Sequence, residues 1–291
     1  MALEELKILS GLLPTLKQDP SVAVGPGDDC AVLRLPARGV ELLAAVDQLA
    51  RDVHYTADTP PRLAGAKLMK RNLSDIAAMG GTPRWALLTV AAGGRSPEWV
   101  LEFCRGAAEC GTSYGVPVVG GDLAGLRTDS EVGTLTILGE VPAGEAILRS
   151  GARAGDLLYV TGEIGNSFES CHHLTFTPRL REGAYLRGKA SAMLDVSDGL
   201  LLDAERLARA SGVDIVLDAA LIPLRAGAEL PAALGDGEDY ELLFTAPAEA
   251  VLDWPEELAA PTRIGEVRPG AGRVCDVCGK NFEVERSGYE H

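Results

Sequence analysis

The sequence predicts a two-domain α+β protein, and three observations carry that prediction. The chain has 291 residues, enough for two domains of ordinary size. Strand-like runs and helical segments are mixed through both halves, and the second half repeats the style of the first: a strand, an acidic glycine-bearing turn, a helix. Between the halves, Gly144 to Asp156 is rich in Gly and Ala and reads as the join. The expected domains are therefore 1–146, a mixed sheet-and-helix unit, and 147–291, a second α+β unit.

Taken in order, Leu6, Leu9, Leu12, Leu13 and Leu16 have helical spacing, with Pro14 as a fault in the pattern. Gly27-Asp28-Asp29 follows, then the strand-like Cys30 to Leu35. This turn reads either as a polar link between strands or as two carboxylates presented at a strand mouth. Glu41 to Val46 is a strand ending in Asp47, and His54 falls in the next loop.

Pro60-Pro61 starts a helix to about Met79, since proline suits a first helical turn and Gly80-Gly81-Thr82-Pro83 stops it. That helix carries Asn72-Leu73-Ser74-Asp75, with Lys67, Lys70 and Arg71 as basic neighbours. Its small residues Ala77, Ala78 and Gly80 suit close packing. Arg84 to Ala92 reads as a strand, and Pro97 to Tyr114 as a helix. A further strand from Val116 ends at Gly120-Gly121-Asp122, and Glu131 to Val141 alternates like a strand. Arg149 lies in the join, where it reads as a surface arginine or as a phosphate clamp.

In the second half, Leu157 to Thr161 and Ser191 to Val196 are strands. Ser197-Asp198-Gly199 leads into an amphipathic helix from Leu200, which Ser197 or Asp198 can cap. Val213 to Leu217, Leu242 to Phe244, Thr262 to Val267 and Arg273 to Val277 complete the strands. His172 and His173 are adjacent, so they cannot share one helical face and do not read as a metal pair.

Composition excludes some classes. A hydrophobic content of 46% with 24% charged residues is ordinary for a globular protein. The formal charge of −15 argues against nucleic acid or an anionic membrane as partner, both of which need basic surface. It leaves a phosphorylated substrate open, because bound cations reverse the local field. No apolar run approaches a bilayer span, and Met1-Ala2-Leu3-Glu4-Glu5 lacks a leader pattern, which predicts a cytoplasmic protein. Six scattered cysteines do not suggest a disulfide framework. Cys275 and Cys278 form a lone CxxC, half of a tetrahedral metal site at most and otherwise a plain turn.

The acidic clusters carry the chemistry. Gly27-Asp28-Asp29, Asp47, Ser74-Asp75, Gly120-Gly121-Asp122, Asp195-Val196-Ser197-Asp198 and Gly237-Glu238-Asp239 are short and widely spaced. Carboxylates spread in this way suit several Mg²⁺ ions, which take oxygen ligands and bridge carboxylates to phosphates. No Walker glycine-lysine loop accompanies them.

In order and over nearly the whole chain, these motifs resemble the thiamine-monophosphate kinases. The resemblance rests on Gly27-Asp28-Asp29, Asn72-Leu73-Ser74-Asp75 with Ala77-Ala78-Met79-Gly80, Gly120-Gly121-Asp122, Asp195 to Leu200, and Gly237-Glu238-Asp239-Tyr240-Glu241-Leu242. It implies ATP-dependent phosphorylation of thiamine monophosphate, a dimer formed through the N-terminal domains, and ATP with several Mg²⁺ ions in a cleft between domains. By motif position it implies metal ligation by Asp29, Asp47, Asp75, Asp122, Asp195 and Asp198. It places Asp29, Tyr114, Gly121, Asp122, Arg149 and Ser197 at ATP, and His54, Glu238 and Tyr289 at thiamine monophosphate. The chain departs from the family in three places. Ala45 and Val46 stand where a hydroxyl is usual before Asp47, Asp236 replaces a glycine, and the 165–189 segment is short. A sister ATP-dependent enzyme on another small substrate, or a non-catalytic maturation protein of that fold, is the alternative.

Overall fold

The computed structural model describes residues 22–24, 28–34, 39–251 and 253–282. The opening leucine-rich segment and Tyr289 lie outside these residues. Two six-stranded sheets organise the chain, the first built from strands up to residue 142 and the second from residue 157 onward.

The first sheet contains β1 (Val22–Val24), β2 (Ala31–Arg34) and β3 (Val40–Ala50), then α1 (Pro61–Ala78) and β4 (Thr82–Ala92). α2 (Pro97–Ser113), β5 (Val118–Gly125) and β6 (Glu131–Pro142) follow. The strand order is β1-β2-β3-β6-β4-β5, antiparallel except for the parallel β4–β5 pair. β6 alternates buried and half-buried positions along its whole length, the signature of a strand with one covered face. Leu43, Ala45, Leu49, Leu135, Ile137, Leu88 and Val90 form that face, and Leu68, Leu73 and Ile76 of α1 pack on it. α2 lies against α1 at backbone distance. A Cβ on Gly65 would sit 1.9 Å from the Phe103 carbonyl oxygen, and one on Gly106 would sit 2.1 Å from that of Arg62, so neither position accepts a side chain.

The second half runs β7 (Leu157–Thr161), α3 (His172–Thr175), α4 (Leu180–Leu186), β8 (Ala192–Asp195), α5 (Leu200–Ser211) and β9 (Val213–Leu217). α6 (Leu230–Gly235), β10 (Leu242–Ala246), β11 (Pro261–Pro269) and β12 (Val274–Asp276) complete it, in the strand order β12-β9-β11-β7-β10-β8. β8, β9 and β10 are buried at every position, so this sheet is covered on both faces. α5 and α6 cover one face through Leu200, Ala204, Leu207, Ala233 and Leu234. On the other face Tyr159, Met193, Leu242 and Phe244 meet Leu186 and also Ala77 and Ala78 of α1.

α1 therefore packs on the first sheet and also touches the second. This is why Lys67, Arg71, Asn72 and Ser74 are buried although they are polar. The expected small-residue packing is realised: Gly183 of α4 lies so close that a Cβ would meet the Ala77 carbonyl oxygen at 2.1 Å.

Three expectations need correction. β3 does not end at Asp47 but runs to Ala50, and β5 does not end at Gly120-Gly121-Asp122 but passes through it to Gly125. Backbone pairing with β6 and β4 continues through both motifs and needs no particular side chain. Neither Ser197 nor Asp198 caps α5. Instead Asp203, inside its first turn, reaches back and accepts from the Ser197 and Asp198 amides, each at 3.0 Å. The 165–189 segment holds the two short helices α3 and α4. Cys275 lies in β12 and Cys278 in the turn after it, where Asp276 Oδ1 accepts from the amides of Cys278 and Lys280 at 2.8 Å each.

Candidate active site

Asp29 precedes β2, Asp75 lies in the last turns of α1, and Asp195 ends β8. One carboxylate oxygen from each lies within 4.8 Å of the other two. Two of these residues come with the first sheet and one with the second, so the group exists only where the two halves meet. Burial, then the charges of Asp47, Asp195 and Asp29, pushes the Asp75 carboxyl well above its ordinary range. Burial, then Asp29, does the same to Asp195, while a hydrogen bond from Ser74 works the other way. Three like charges held in a partly dry site are unfavourable unless protonated or bridged by a cation. The donor set is all oxygen and carboxylate, which suits Mg²⁺.

Neighbouring groups position this trio. Arg149 donates from Nε to Oδ2 of Asp29 and from Nη2 to Oδ1, each at 3.0 Å, a bidentate clamp. Its amide donates to Asp28 Oδ1 at 2.6 Å. Asp47 shares the β3 face with Ala45 and Leu49, under α1, and its Oδ2 lies 3.2 Å from Nε of Arg71. Asp198 pairs with Arg206, which also donates to Asp203 Oδ1 at 2.7 Å. Burial, then Asp198, pushes the Asp203 carboxyl up to about 7.

A second group of side chains meets deeper along α1. Lys67 is fully buried and pairs with Glu238. Its ammonium also donates to the His54 carbonyl and, at 2.9 Å, to Nδ1 of His173. The His54 ring accepts from the Ala50 amide at 3.0 Å through its own Nδ1. Glu238 and Tyr240 hold positive φ of 62° and 52°, unusual for residues other than glycine. Asp236, where the family pattern has glycine, has φ −76° and ψ −35°, which any residue adopts.

Of the residues singled out from sequence, the structure groups Asp29, Asp75 and Asp195, with Asp47 acting on Asp75 and Arg149 clamping Asp29. His54 and Glu238 meet through Lys67. Asp122 and Gly121 lie on the exposed edge strand β5, outside the trio. Gly121 is required there by packing, since a Cβ would meet the Leu88 carbonyl oxygen at 1.7 Å. Tyr114 closes the end of α2 and packs on the first core. Sequence reasoning gave no role to Asp203, Arg206 or His173, and left Lys67 as a basic neighbour only. Asp203 and Arg206 lie in the amphipathic segment from Leu200, where Ser197 or Asp198 is the expected cap.

Two α+β domains, with carboxylates from both converging on one point, define a protein of the AIR synthase related class. The model of the AIR synthase related protein N-terminal domain matches residues 27–141, and that of the C-terminal domain matches residues 153–277. The thiamine-monophosphate kinase of Escherichia coli (strain K12) is 32% identical, over 93% of this chain and 92% of its own length. That of Rhodopirellula baltica is 34% identical, over 99% and 97%. Among solved structures, AaThiL complexed with AMPPCP and TMP superimposes with a TM-score of 0.84 at 28% identity, covering 99% of both chains. The chain belongs to the thiamine-monophosphate kinase family.

Proposed function

We infer that this chain transfers the γ-phosphoryl group of ATP to the phosphate of thiamine monophosphate, releasing ADP and thiamine diphosphate. The observation that carries this reading is the convergence of Asp29, Asp75 and Asp195 from both domains, within a chain whose relatives are thiamine-monophosphate kinases. An oxygen of the acceptor phosphate forms the new P–O bond as the bond from the γ-phosphorus to the β,γ-bridging oxygen breaks. Such transfer is mostly positioning and charge stabilisation. The acceptor is already ionised at neutral pH, so no strong general base is needed.

Asp29, Asp75 and Asp195 would hold Mg²⁺, with Asp47, Asp122 and Asp198 as further ligands. Bound Mg²⁺ neutralises charge between donor and acceptor phosphates. The chain's own residues hold that arrangement still. Arg149 fixes Asp29, Ser74 fixes Asp195, and Asp203 fixes the backbone before Asp198. Asp29, Tyr114, Gly121, Asp122, Arg149 and Ser197 form the proposed ATP contacts, and His54, Glu238 and Tyr289 those to thiamine monophosphate. Ala45 is buried and Val46 points to the opposite face, so this chain offers no hydroxyl beside Asp47.

The proposed domains are 1–146 and 147–291, with the nucleotide in the cleft between them. A homodimer through the first sheet is supported by the face on which Val46, Trp85 and Leu87 are exposed and which no helix covers among the described residues. A cytoplasmic location agrees with the absence, among the described residues, of any helix long and apolar enough to cross a membrane. The test is product analysis by chromatography after incubation with ATP, Mg²⁺ and thiamine monophosphate, with Asp75→Asn as control. Thiamine diphosphate from the wild type and none from the variant is expected. No product from a folded chain that binds ATP would overturn the reading in favour of another substrate.

A further inference from the structure

The Lys67–Glu238 pair is the one buried ammonium–carboxylate contact that joins the two halves among the described residues. Lys67 has no exposed surface, and a buried charge persists only where its partners replace water. An ammonium has three donors. Here two acceptors take hydrogen bonds from it, the His54 carbonyl on the first domain and Nδ1 of His173 on the second, and Oε2 of Glu238 faces it as its ion-pair partner. The ring of Phe168 completes the enclosure, with the ammonium 5.1 Å from its centroid and the His173 ring stacked on it at 4.0 Å. Burial, then Lys67 and His172, holds His173 neutral down to about pH 3, and the tautomer with its proton on Nε2 leaves Nδ1 to accept from the ammonium.

The segment that carries Glu238 is anchored on every side. Its amide donates to the Ser197 carbonyl at 2.7 Å, and its carbonyl accepts from Ser167 Oγ at 2.6 Å. The Tyr240 amide donates to the Val196 carbonyl at 2.8 Å. Between these bonds the backbone keeps positive φ at Glu238 and Tyr240, a conformation that persists only when the surroundings over-determine it. The backbone of Glu238 is fixed by the second domain, but its carboxylate is fixed by Lys67 of the first.

We propose that Lys67 is the positioning residue of the acceptor site: pinned by the His54 carbonyl and His173, it holds the Glu238 carboxylate in the orientation that receives thiamine monophosphate. This rests on the kinase reading and on Glu238 as an acceptor contact. It predicts that Lys67 acts on one substrate only, because the ATP contacts proposed above do not pass through Glu238. It also predicts that Lys67 acts through Glu238 and has no effect of its own once that carboxylate is gone.

The test uses the full chain, with thiamine monophosphate and ATP varied separately in steady-state kinetics. In Lys67→Met the KM for thiamine monophosphate is expected to rise roughly ten- to a hundredfold, as for removal of one partner of a buried charge pair, with the KM for ATP unchanged. Because that variant leaves Glu238 buried and unpaired, it is accompanied by Glu238→Gln and by the double variant Lys67→Met/Glu238→Gln, in which both charges are gone. The double variant is expected to match Glu238→Gln alone. An unchanged KM for thiamine monophosphate in folded Lys67→Met overturns the role of Lys67. So do equal rises in both KM values, or a double variant much weaker than Glu238→Gln. Absence of thiamine diphosphate from the wild-type chain overturns the kinase reading itself.

Discussion

Ser74 donates its hydroxyl to Oδ2 of Asp195 at 2.5 Å, and this bond crosses from α1 of the first domain to the end of β8 in the second. Ser74 is 1% exposed and Asp195 4%. A buried carboxylate at the meeting point of two domains thus has its orientation set by a hydroxyl 121 residues away. Without it, Asp195 would be a desolvated acid with Asp29 and Asp203 nearby and one less favourable partner. Ser74→Ala is expected to cost about 1–3 kcal/mol of stability, the penalty for an unsatisfied buried polar group. Urea unfolding of the two proteins, compared at equal m-values, measures it. Equal midpoints would mean that the bond contributes nothing.

Removing a charge from the aspartate trio separates stability from function. Asp75 is crowded by Asp47, Asp195 and Asp29, so Asp75→Asn relieves repulsion in the metal-free protein. The metal-free melting temperature is expected to stay level or rise, although turnover is lost. Adding Mg²⁺ with ATP should then stabilise the wild type, by about 2.7 kcal/mol at a ligand concentration a hundred times Kd, and leave the variant unmoved. Scanning calorimetry with and without the ligands decides this. Equal ligand-induced shifts in both proteins would place the metal elsewhere.

The histidines of α3 give a pH signature. Burial, then Arg225, lowers His172 to about 4, and burial, then Lys67, lowers His173 to about 3. In the unfolded chain both take up a proton near pH 6.5. Between pH 6.5 and 4 the unfolded state therefore binds more protons than the native state, and this contribution to stability falls as pH falls. Asp203 and Asp239, both pushed up to about 7 mainly by burial, act in the opposite direction over the same window. The difference between wild type and His173→Gln isolates the histidine. Acidification from pH 7 to pH 5 should lower the wild-type melting temperature relative to the variant, and a gap independent of pH would refute the assignment.

Much of this was legible in the sequence, and the misses are of three kinds. Asp75 stood out because a Ser-Asp pair sat in a helix closed by Gly80-Gly81, and the helix indeed ends at Ala78. The two strands predicted to end at their acidic motifs continue instead, because pairing is set by the neighbouring strand's backbone: Asp47 faces Leu135 and Asp122 faces Thr89. Ser197 or Asp198 is the expected cap of the helix, yet Asp203 inside it holds the turn that presents Asp198. Lys67, Ser74 and His173 acquire their partners only when the domains meet. Local periodicity and composition carry no signal for contacts across 106 to 121 residues.

The outer face of the first sheet carries the last prediction. Val46 of β3, Thr136 of β6, Leu87 of β4 and Gly120 of β5 lie side by side in register, on the face away from α1. Val46 is 60% exposed and Leu87 41%, with Trp85 at 41% and Val119 at 59% close along the strands. Among the described residues no helix covers this face, and an apolar patch there supports the dimer proposed above. In a two-fold interface each residue of the patch is present twice, so a charge placed there is buried twice, against apolar groups and near its own copy. Leu87→Asp is expected to convert a dimer into a monomer of 30.5 kDa in size-exclusion chromatography with light scattering, with a native circular dichroism spectrum. Its side chain points away from the core, so folding should survive the change. A wild type that is itself monomeric at micromolar concentration would sink the assignment, as would a Leu87→Asp variant that stays dimeric.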